Sequence, residues 1–550
     1  KPLFSCCERP LIHGTPASVG ASHVYTLFGY KGKLIPPVSR EVTASRQRGG
    51  KRRRSHGSGW SAGRLGYTCR MAEKSDQQSK KRKGGGGGSH VYQPPKGTRD
   101  FFPADMAVRR HLESIWRSVS VRHGFDEIDG PTFEHLDLYT VKSGPGIVSE
   151  LFSFRRSGGD TDYALRPEFT PTLARMYAAN ANSLPKPTKW FCMPNFFRAE
   201  RPQRGRLREF FQWNVDMIGD DSPRADAEVI ATAAACMEAM RLTPNETRIK
   251  FNHREVMEIF IRAAGVPEEK TDAVFDLLDR RDKLTPDALH ERAAEAGIGD
   301  QFKELEATLE QYAKEKGDGG FIGAAERDGF DVGKLAAVQE ELEQLGLAEW
   351  MELDPFIARG LAYYTGTVFE LHEAAGKERA IAGGGRYNTL IELFGGPPTP
   401  AVGFAMGDVV IRLMLEDRGL LESGEMYLPR PDVFIINSRD DVDARPLHTA
   451  LRRAGLHVRH SYKATRNVGK LLGEAGKHRA RTALILGAEL DGGRVSVKCL
   501  DSGEQFDDVV SPYTKDVGDG GELRFVVHEE ALGMFTARVL QVIRLAGGMA

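Results

Sequence analysis

Residues 196–216 read FFRAERPQRGRLREFFQWNVD. The pattern predicts two extended strands joined by a basic loop at Arg201–Leu207. A strand sends alternate side chains to one face. Arg198 and Glu200 therefore share a face on the way in, and Arg208, Phe210, Gln212, Asn214 and Asp216 share one on the way back. That mix suits either a solvated hairpin or the floor of a pocket. In a pocket, an arginine fork clamps a phosphate and an aromatic ring stacks on a base, while an amide and a carboxylate read a small polar ligand.

With 550 residues and 40% apolar content, the chain has room for roughly three or four domains with real cores. Basic and acidic residues balance at 76 each, so bulk charge points to no partner. Cysteines stand scattered at Cys6, Cys7, Cys69, Cys192, Cys236 and Cys499, with no CxxC spacing. That speaks for a reducing compartment and against structural zinc, so no metal-ligating residues are expected. No apolar run approaches the roughly 20 residues of a membrane span. The expectation is a protein of the cytoplasm with no membrane partner.

Residues 1–92 read as a disordered basic extension, with KRRR at 51–54, KKRK at 80–83 and five glycines at 84–88. The first 70 residues are Arg-rich with only Glu8 and Glu41 as acids, which also fits an organelle transit peptide. Met71-Ala72-Glu73 reads as an ordinary start, and on that reading residues 1–70 are upstream sequence. Order is expected from Gln93, with a helix over about 104–122 on the apolar spacing Leu112, Ile115, Trp116, Val119 and a strand over Phe125–Pro131. Irregularly alternating strands and helices run to 252 and resume over 346–426, with a glycine turn at AGGGRY, 382–387. Between them, 253–345 is charged and helical, as in FKELEATLEQYAKEKG, and reads as an inserted subdomain. After a proline-bounded linker, 431–550 alternates β and α and predicts a mixed sheet with helices on its faces.

Several segments could carry chemistry. No GxxxxGK[ST] loop, GxSxG elbow or HExxH helix occurs. In ALRPEFTP, 164–171, Glu168 and Thr170 share a direction if extended and can hold an amino group; the plain alternative is a helix start with Thr170 as N-cap. ARGLAYYTGTVFELH, 358–372, places Arg359 and two tyrosines before a strand, suited to an anionic ligand or to a packed aromatic corner. The last unit concentrates charge: Arg452, Arg453, Arg459, Lys463, Arg466, Lys470, Lys477, Arg479 and Arg481 face the single acid Glu474 between 452 and 481. Interleaved His457, His460, Tyr462 and Asn467 can stack on splayed bases while the cations hold phosphates; the alternative is a solvated surface.

Together these motifs resemble the histidyl-tRNA synthetase family, class II aminoacyl-tRNA synthetases, from about Pro95 to the C-terminus. KGTRDFFP and the helix–strand to Pro131 resemble the opening and the dimer-forming first motif, and 196–216 the second. ARGLAYYTGTVFE and AGGGRYNTLIELFGG resemble the two histidine-specific signatures, AVGFAMGDVVIRLML the third motif, and the last unit an anticodon-binding domain. The resemblance implies an α+β fold: a class II antiparallel sheet flanked by helices, a helical insertion and a C-terminal α/β anticodon-binding domain. It implies ATP-dependent activation of L-histidine to the adenylate and transfer to the 3′ end of tRNA(His), by a homodimer, with Mg²⁺ bridging the phosphates of ATP.

Residue by residue, Arg198 and Arg359 would be catalytic at the α-phosphate. Arg198, Glu200, Arg206 and Phe210 would bind ATP, with Phe210 on the adenine and Arg206 on the outer phosphates. Glu168, Thr170, Arg198, Gln212, Asp216, Arg359, Tyr363 and Tyr364 would hold histidine. Arg201, Gln203 and Arg204 in the loop, with Arg466 and Lys470 in the last unit, would meet tRNA. Two departures stand out. Ala362 replaces the acid of the usual RGLDYY, and Val410 stands where the third motif usually carries arginine. Arg412, two residues on, is turned by about 200° on a helix and is a poor substitute. Two other readings fit parts of the pattern. One is a non-catalytic, synthetase-like regulatory subunit of histidine biosynthesis that binds histidine. The other is a fragment of an RNA-sensing kinase, which the chain's lack of kinase motifs disfavours.

Overall fold

The computed structural model describes residues 92–143, 148, 150–315, 319–359, 363–376, 379–517 and 523–545. The basic runs of the N-terminal extension and Ala362 lie outside the described residues. The strands of the larger part are, in chain order, β1 (Asp126–Glu127), β2 (Phe133–His135), β3 (Ser153–Arg155), β4 (Asp162–Leu165), β5 (Thr188–Cys192), β6 (Asn195–Phe197), β7 (Glu209–Ile218), β8 (Thr247–His253), β9 (Met351–Leu353), β10 (Thr367–Glu373), β11 (Ala382–Arg386) and β12 (Ala401–Gly407).

The central sheet runs β1-β5-β7-β12-β11-β10-β8-β9, with β6 added on β7. Only the outermost pairs, β1 with β5 and β8 with β9, are parallel. The six strands between are antiparallel throughout. The sequence predicted this class of sheet, with helices around it. The back face is apolar, as period-two alternation requires. Trp213, Val215, Phe251, Phe369, Phe404 and Met406 point there and join one core with the helices Pro103–Arg122 and Pro223–Ala239. Trp213 stacks on Trp116 at 6.2 Å and donates to Ser120 Oγ at 2.9 Å. Each large side chain buried this way contributes roughly 1.5–3 kcal/mol.

The stretch 254–345 is helical, from Arg254–Ala263 to Gly333–Gln344. Its apolar residues, such as Phe260, Phe302 and Leu335, are continuous with the core behind the sheet. Beyond it lie β13 (Val433–Asn437), β14 (Val458–His460), β15 (Thr482–Leu486), β16 (Arg494–Cys499) and β17 (Gln505–Val510), in the order β14-β13-β15-β16-β17. A separate hairpin, β18 (Tyr513–Val517) with β19 (Leu523–Val527), precedes the closing helix Glu529–Leu545.

Four local expectations change. AGGGR is a central strand, not a turn. The strand predicted over Phe125–Pro131 shrinks to Asp126–Glu127. Thr170 is the first residue of its helix rather than its N-cap, which is Phe169. β17 and the β18–β19 hairpin carry polar, exposed residues with little apolar alternation and were not foreseen.

Candidate active site

The front of the central sheet is the floor of a cavity of about 840 Å³. Register explains its shape. Asp216 on β7 lies opposite Gly403 on β12, Gly403 opposite Gly385 on β11, and Gly385 opposite Val368 on β10. One row over, Asn214, Ala405, Gly383, Glu370 and Lys250 succeed each other. The middle of the floor is thus stripped to glycine and alanine, with polar side chains on both flanks. A Cβ on Gly383 would fall 2.3 Å from Arg359 Nη1, and one on Gly403 would fall 2.0 Å from Asp216 Oδ1. The glycines are there so that an arginine and an aspartate can lie flat on the sheet.

The segment bearing Arg359 is pinned from β8. Asn252 donates to the carbonyls of Pro355 and Ile357 at 3.0 and 3.1 Å, and buried Arg254 donates to those of Ala358 and Arg359 at 3.3 and 3.4 Å. Arg359 itself has φ +55°, a left-handed conformation uncommon outside glycine. Held strain of this kind clusters at functional sites. The Arg359 guanidinium pairs with Glu370, which also meets His372 Nε2 at 2.8 Å. Burial favours a neutral Glu370, but His372 and Arg359 outweigh it and bring its pKa down to about 2. Arg359 Nε is buried and has no partner among the described residues.

At one end of the floor Tyr363 Oη donates to Glu168 Oε2 at 3.1 Å and stands 3.5 Å from Thr170 Oγ1. At the sheet itself Tyr387 Oη donates to Asp216 Oδ1 at 2.6 Å. Burial pushes the Asp216 carboxyl up to about 7, the Tyr387 hydrogen bond pulling the other way. Half-buried Arg198 donates from Nε to the Pro167 carbonyl at 3.1 Å, and its guanidinium lies 5.1 Å from the centre of the Phe210 ring. Burial lowers its pKa, with Glu168 and Glu200 opposing. Arg206 pairs with Glu200 at 2.9 Å.

The expected residues therefore separate into four groups. Glu168, Thr170, Arg198, Arg206, Phe210, Gln212, Asp216, Arg359, Tyr363 and Tyr364 all line this cavity. Glu200 stands behind Arg206 as its counter-ion. Arg201, Gln203 and Arg204 are exposed on the loop, where Gln203 bridges to Arg206 and Arg204 pairs with Asp417 at 3.3 Å. Arg466 lines a second cavity of about 930 Å³ in the last unit, with His448, His460 and Asn437. It pairs there with Asp440, and exposed Lys470 opens the helix capped by Asn467.

The sequence reading missed Tyr387, Glu370, His372 and Arg379, all of which line the first cavity. A signal existed for two of them. Glu370 and His372 alternate with Phe369 and Leu371 on β10, so a charged residue and an imidazole share the face opposite the core. Val410 lines the cavity, whereas Arg412 is turned away to Glu416 at 2.7 Å and Asp105 at 3.5 Å.

A six-stranded antiparallel core with arginines over a glycine-cleared floor defines a class II aminoacyl-tRNA synthetase. The family model for histidyl-tRNA synthetase matches residues 97–408, more than half of the chain. A histidine–tRNA ligase of Opitutus terrae is 38% identical over 410 residues, which are 72% of this chain and 91% of that one. A chloroplastic/mitochondrial histidine–tRNA ligase of Arabidopsis thaliana is 36% identical over 417 residues, 75% of this chain and 84% of that one. The crystal structure of a Nostoc histidyl-tRNA synthetase superposes with a TM-score of 0.62 at 25% identity, covering 82% of this chain and all of that one. The chain belongs to the histidyl-tRNA synthetase family.

Proposed function

We propose that the chain activates L-histidine with ATP and passes the histidyl group to the 3′ end of tRNA(His). As a member of this family it is an enzyme, a histidine–tRNA ligase. One observation carries the site assignment. Arg198 and Arg359 lie in the same cavity as an amine-binding corner at Glu168, Thr170 and Tyr363 and a buried carboxylate at Asp216. Glu168 takes the α-ammonium of histidine. Asp216, held by Tyr387, faces the imidazole together with Tyr364 and Gln212. Phe210 offers a ring to the adenine, and Arg206, with Glu200 behind it, meets the nucleotide beside it.

In the first step a carboxylate oxygen of histidine attacks the α-phosphorus. A carbon-borne oxygen–phosphorus bond forms, and the bond to pyrophosphate breaks. Two anions are brought together, so preorganised cations are the effective catalyst in a water-poor site. Arg198 and Arg359 fill that role, since a guanidinium gives two parallel donors to a phosphate. In the second step a 3′-terminal hydroxyl of tRNA attacks the acyl carbon and AMP leaves. Mg²⁺ travels with the triphosphate and supplies charge neutralisation there. Among the described residues no group of three His, Cys, Asp or Glu gathers into a metal site.

Residues 93–252 and 346–426 form the catalytic domain on this reading, 253–345 the insertion, and 431–550 the anticodon reader. The second cavity, with Arg466 and the stacked pair His448–His460 at 4.4 Å, suits splayed bases, with Lys470 on the neighbouring helix. Arg201, Gln203 and Arg204 approach the acceptor end. On this reading the enzyme is a homodimer, and Phe133 and Phe154, both more than two-fifths exposed on the small sheet β2-β4-β3, would suit its interface. No helix among the described residues is long and apolar enough to cross a membrane. We place the enzyme in the cytoplasm; an organelle is the second reading, favoured by the Arg-rich start and the plant relative.

The regulatory-subunit reading has no use for Arg359 in the cavity. Transfer of labelled histidine to tRNA(His), and not to a tRNA of another identity, is the expected result. Histidine binding with no transfer to any tRNA would favour the regulatory reading instead.

A further inference from the structure

Two cations stand at the outer part of the cavity, and they differ in how they are held. Arg206 is neutralised by Glu200 at 2.9 Å. Arg379, on the connection from β10 to β11, lines the same cavity and has no hydrogen bond or ion pair among the described residues. A methyl group built on Gly205, at the tip of the loop that carries Arg206, would lie 3.5 Å from Val410 Cγ2 and 3.9 Å from Arg379 Cδ. The stem of Arg379 and the side chain of Val410 therefore both lie beside Gly205. Burial lowers the Arg379 pKa, and the charge of Arg206 lowers it further, against Glu200. The two arginines thus stand at the same outer part of the cavity.

Converging like charges are unfavourable unless an anion comes between them. Nothing at the position of Val410 supplies charge, and Arg412 is spent on Glu416 and Asp105. A nucleotide with its base toward Phe210 and its α-phosphorus at Arg198 and Arg359 has its remaining phosphates to place. The unmatched positive charge at the outer part of the cavity is their natural counterpart.

We propose that Arg379 is a phosphate-binding residue that closes with Arg206 on the outer phosphates of ATP. It supplies from the β10–β11 connection the charge that helix Asp408–Asp417 lacks at Val410. This rests on the reading of the cavity as an ATP site, so the test separates the two. Titrations of the full chain with ATP and with AMP, and histidine-dependent ATP–pyrophosphate exchange, would be compared for wild type, Arg379→Ala and Arg379→Lys. Loss of a charge-assisted bond predicts about tenfold weaker ATP binding and a similar rise in the ATP KM for Arg379→Ala. AMP affinity and the histidine KM should change by less than about twofold, because neither ligand reaches the outer phosphate position. Arg379→Lys should recover part of the ATP affinity as a point charge. Equal losses for ATP and AMP, or an unchanged ATP affinity in Arg379→Ala, would overturn the assignment while leaving the enzyme reading intact. A wild-type chain that binds no ATP would overturn both.

Discussion

Arg359, proposed above as a catalytic cation, is held in place in three ways. Its backbone is held left-handed, its guanidinium lies on Gly383, and Glu370 fixes its direction. Gly383→Ala should drive the guanidinium off the sheet. A displacement of about 1 Å is worth roughly a hundredfold in rate. The expected outcome is a kcat for exchange reduced by that order with the histidine KM little changed, and steady-state kinetics would check it. Asp216 supplies a pH prediction. Its folded pKa of about 7 lies above the value of about 3.9 for an unfolded chain. The folded protein therefore holds a proton the unfolded chain has lost, and this contribution to stability, complete below about pH 4, fades as pH rises to about 7. Urea denaturation across that window should show a falling stability that Asp216→Asn flattens. These residues were unequally legible. Arg198, Gln212 and Asp216 were readable as sharing faces of the hairpin because strand parity places them without knowledge of the fold. Tyr387 and Arg379 were not, because their relevance depends on which strands become neighbours.

The β6–β7 hairpin is positioned by contacts far away in sequence. Asp408, at the head of the helix Asp408–Asp417, accepts from the Phe211 amide at 2.9 Å and pairs with Arg99 at 2.7 Å. Arg109 covers the Phe211 ring at 3.4 Å, and the Gly97 carbonyl accepts from the amides of Arg208 and Glu209 at 2.9 and 3.2 Å. The segment KGTRDFFP thus clamps the hairpin from outside the sheet. Removing one partner of a buried ion pair strands the other. Asp408→Ala should cost roughly 3 kcal/mol of stability, read from denaturant midpoints, and a loss below about 1 kcal/mol would show the clamp to be dispensable. The hairpin was legible because polar and aromatic residues alternate along it. β11 was misread as a turn for a physical reason. Three glycines carry no hydrophobic period, and only the rows on β12 and β10 reveal that bare backbone is what the site needs there.

At the scale of the molecule, one core runs behind the catalytic sheet and through the helices of 254–345, while the unit after Pro431 has its own. The proline-flanked linker suggests a boundary in the sequence; the shared core was not legible, because charge and helical period mark an insertion without saying what it packs on. Leu278, Asp279 and Lys283 of that insertion reach the cavity, so it bears on the site as well as on stability. Deleting 431–550 should reduce tRNA charging far more than histidine-dependent exchange, since exchange needs only the first cavity. Equal losses would argue against the last unit as a tRNA reader. In the function proposed above, Arg198 and Arg359, over a glycine-cleared sheet, bring histidine and ATP together. ATP–pyrophosphate exchange tests it most directly. Wild type should exchange only when L-histidine is present, and folded Arg359→Ala should lose about two to three orders of magnitude. Exchange without histidine, or near-normal exchange in Arg359→Ala, would contradict the account.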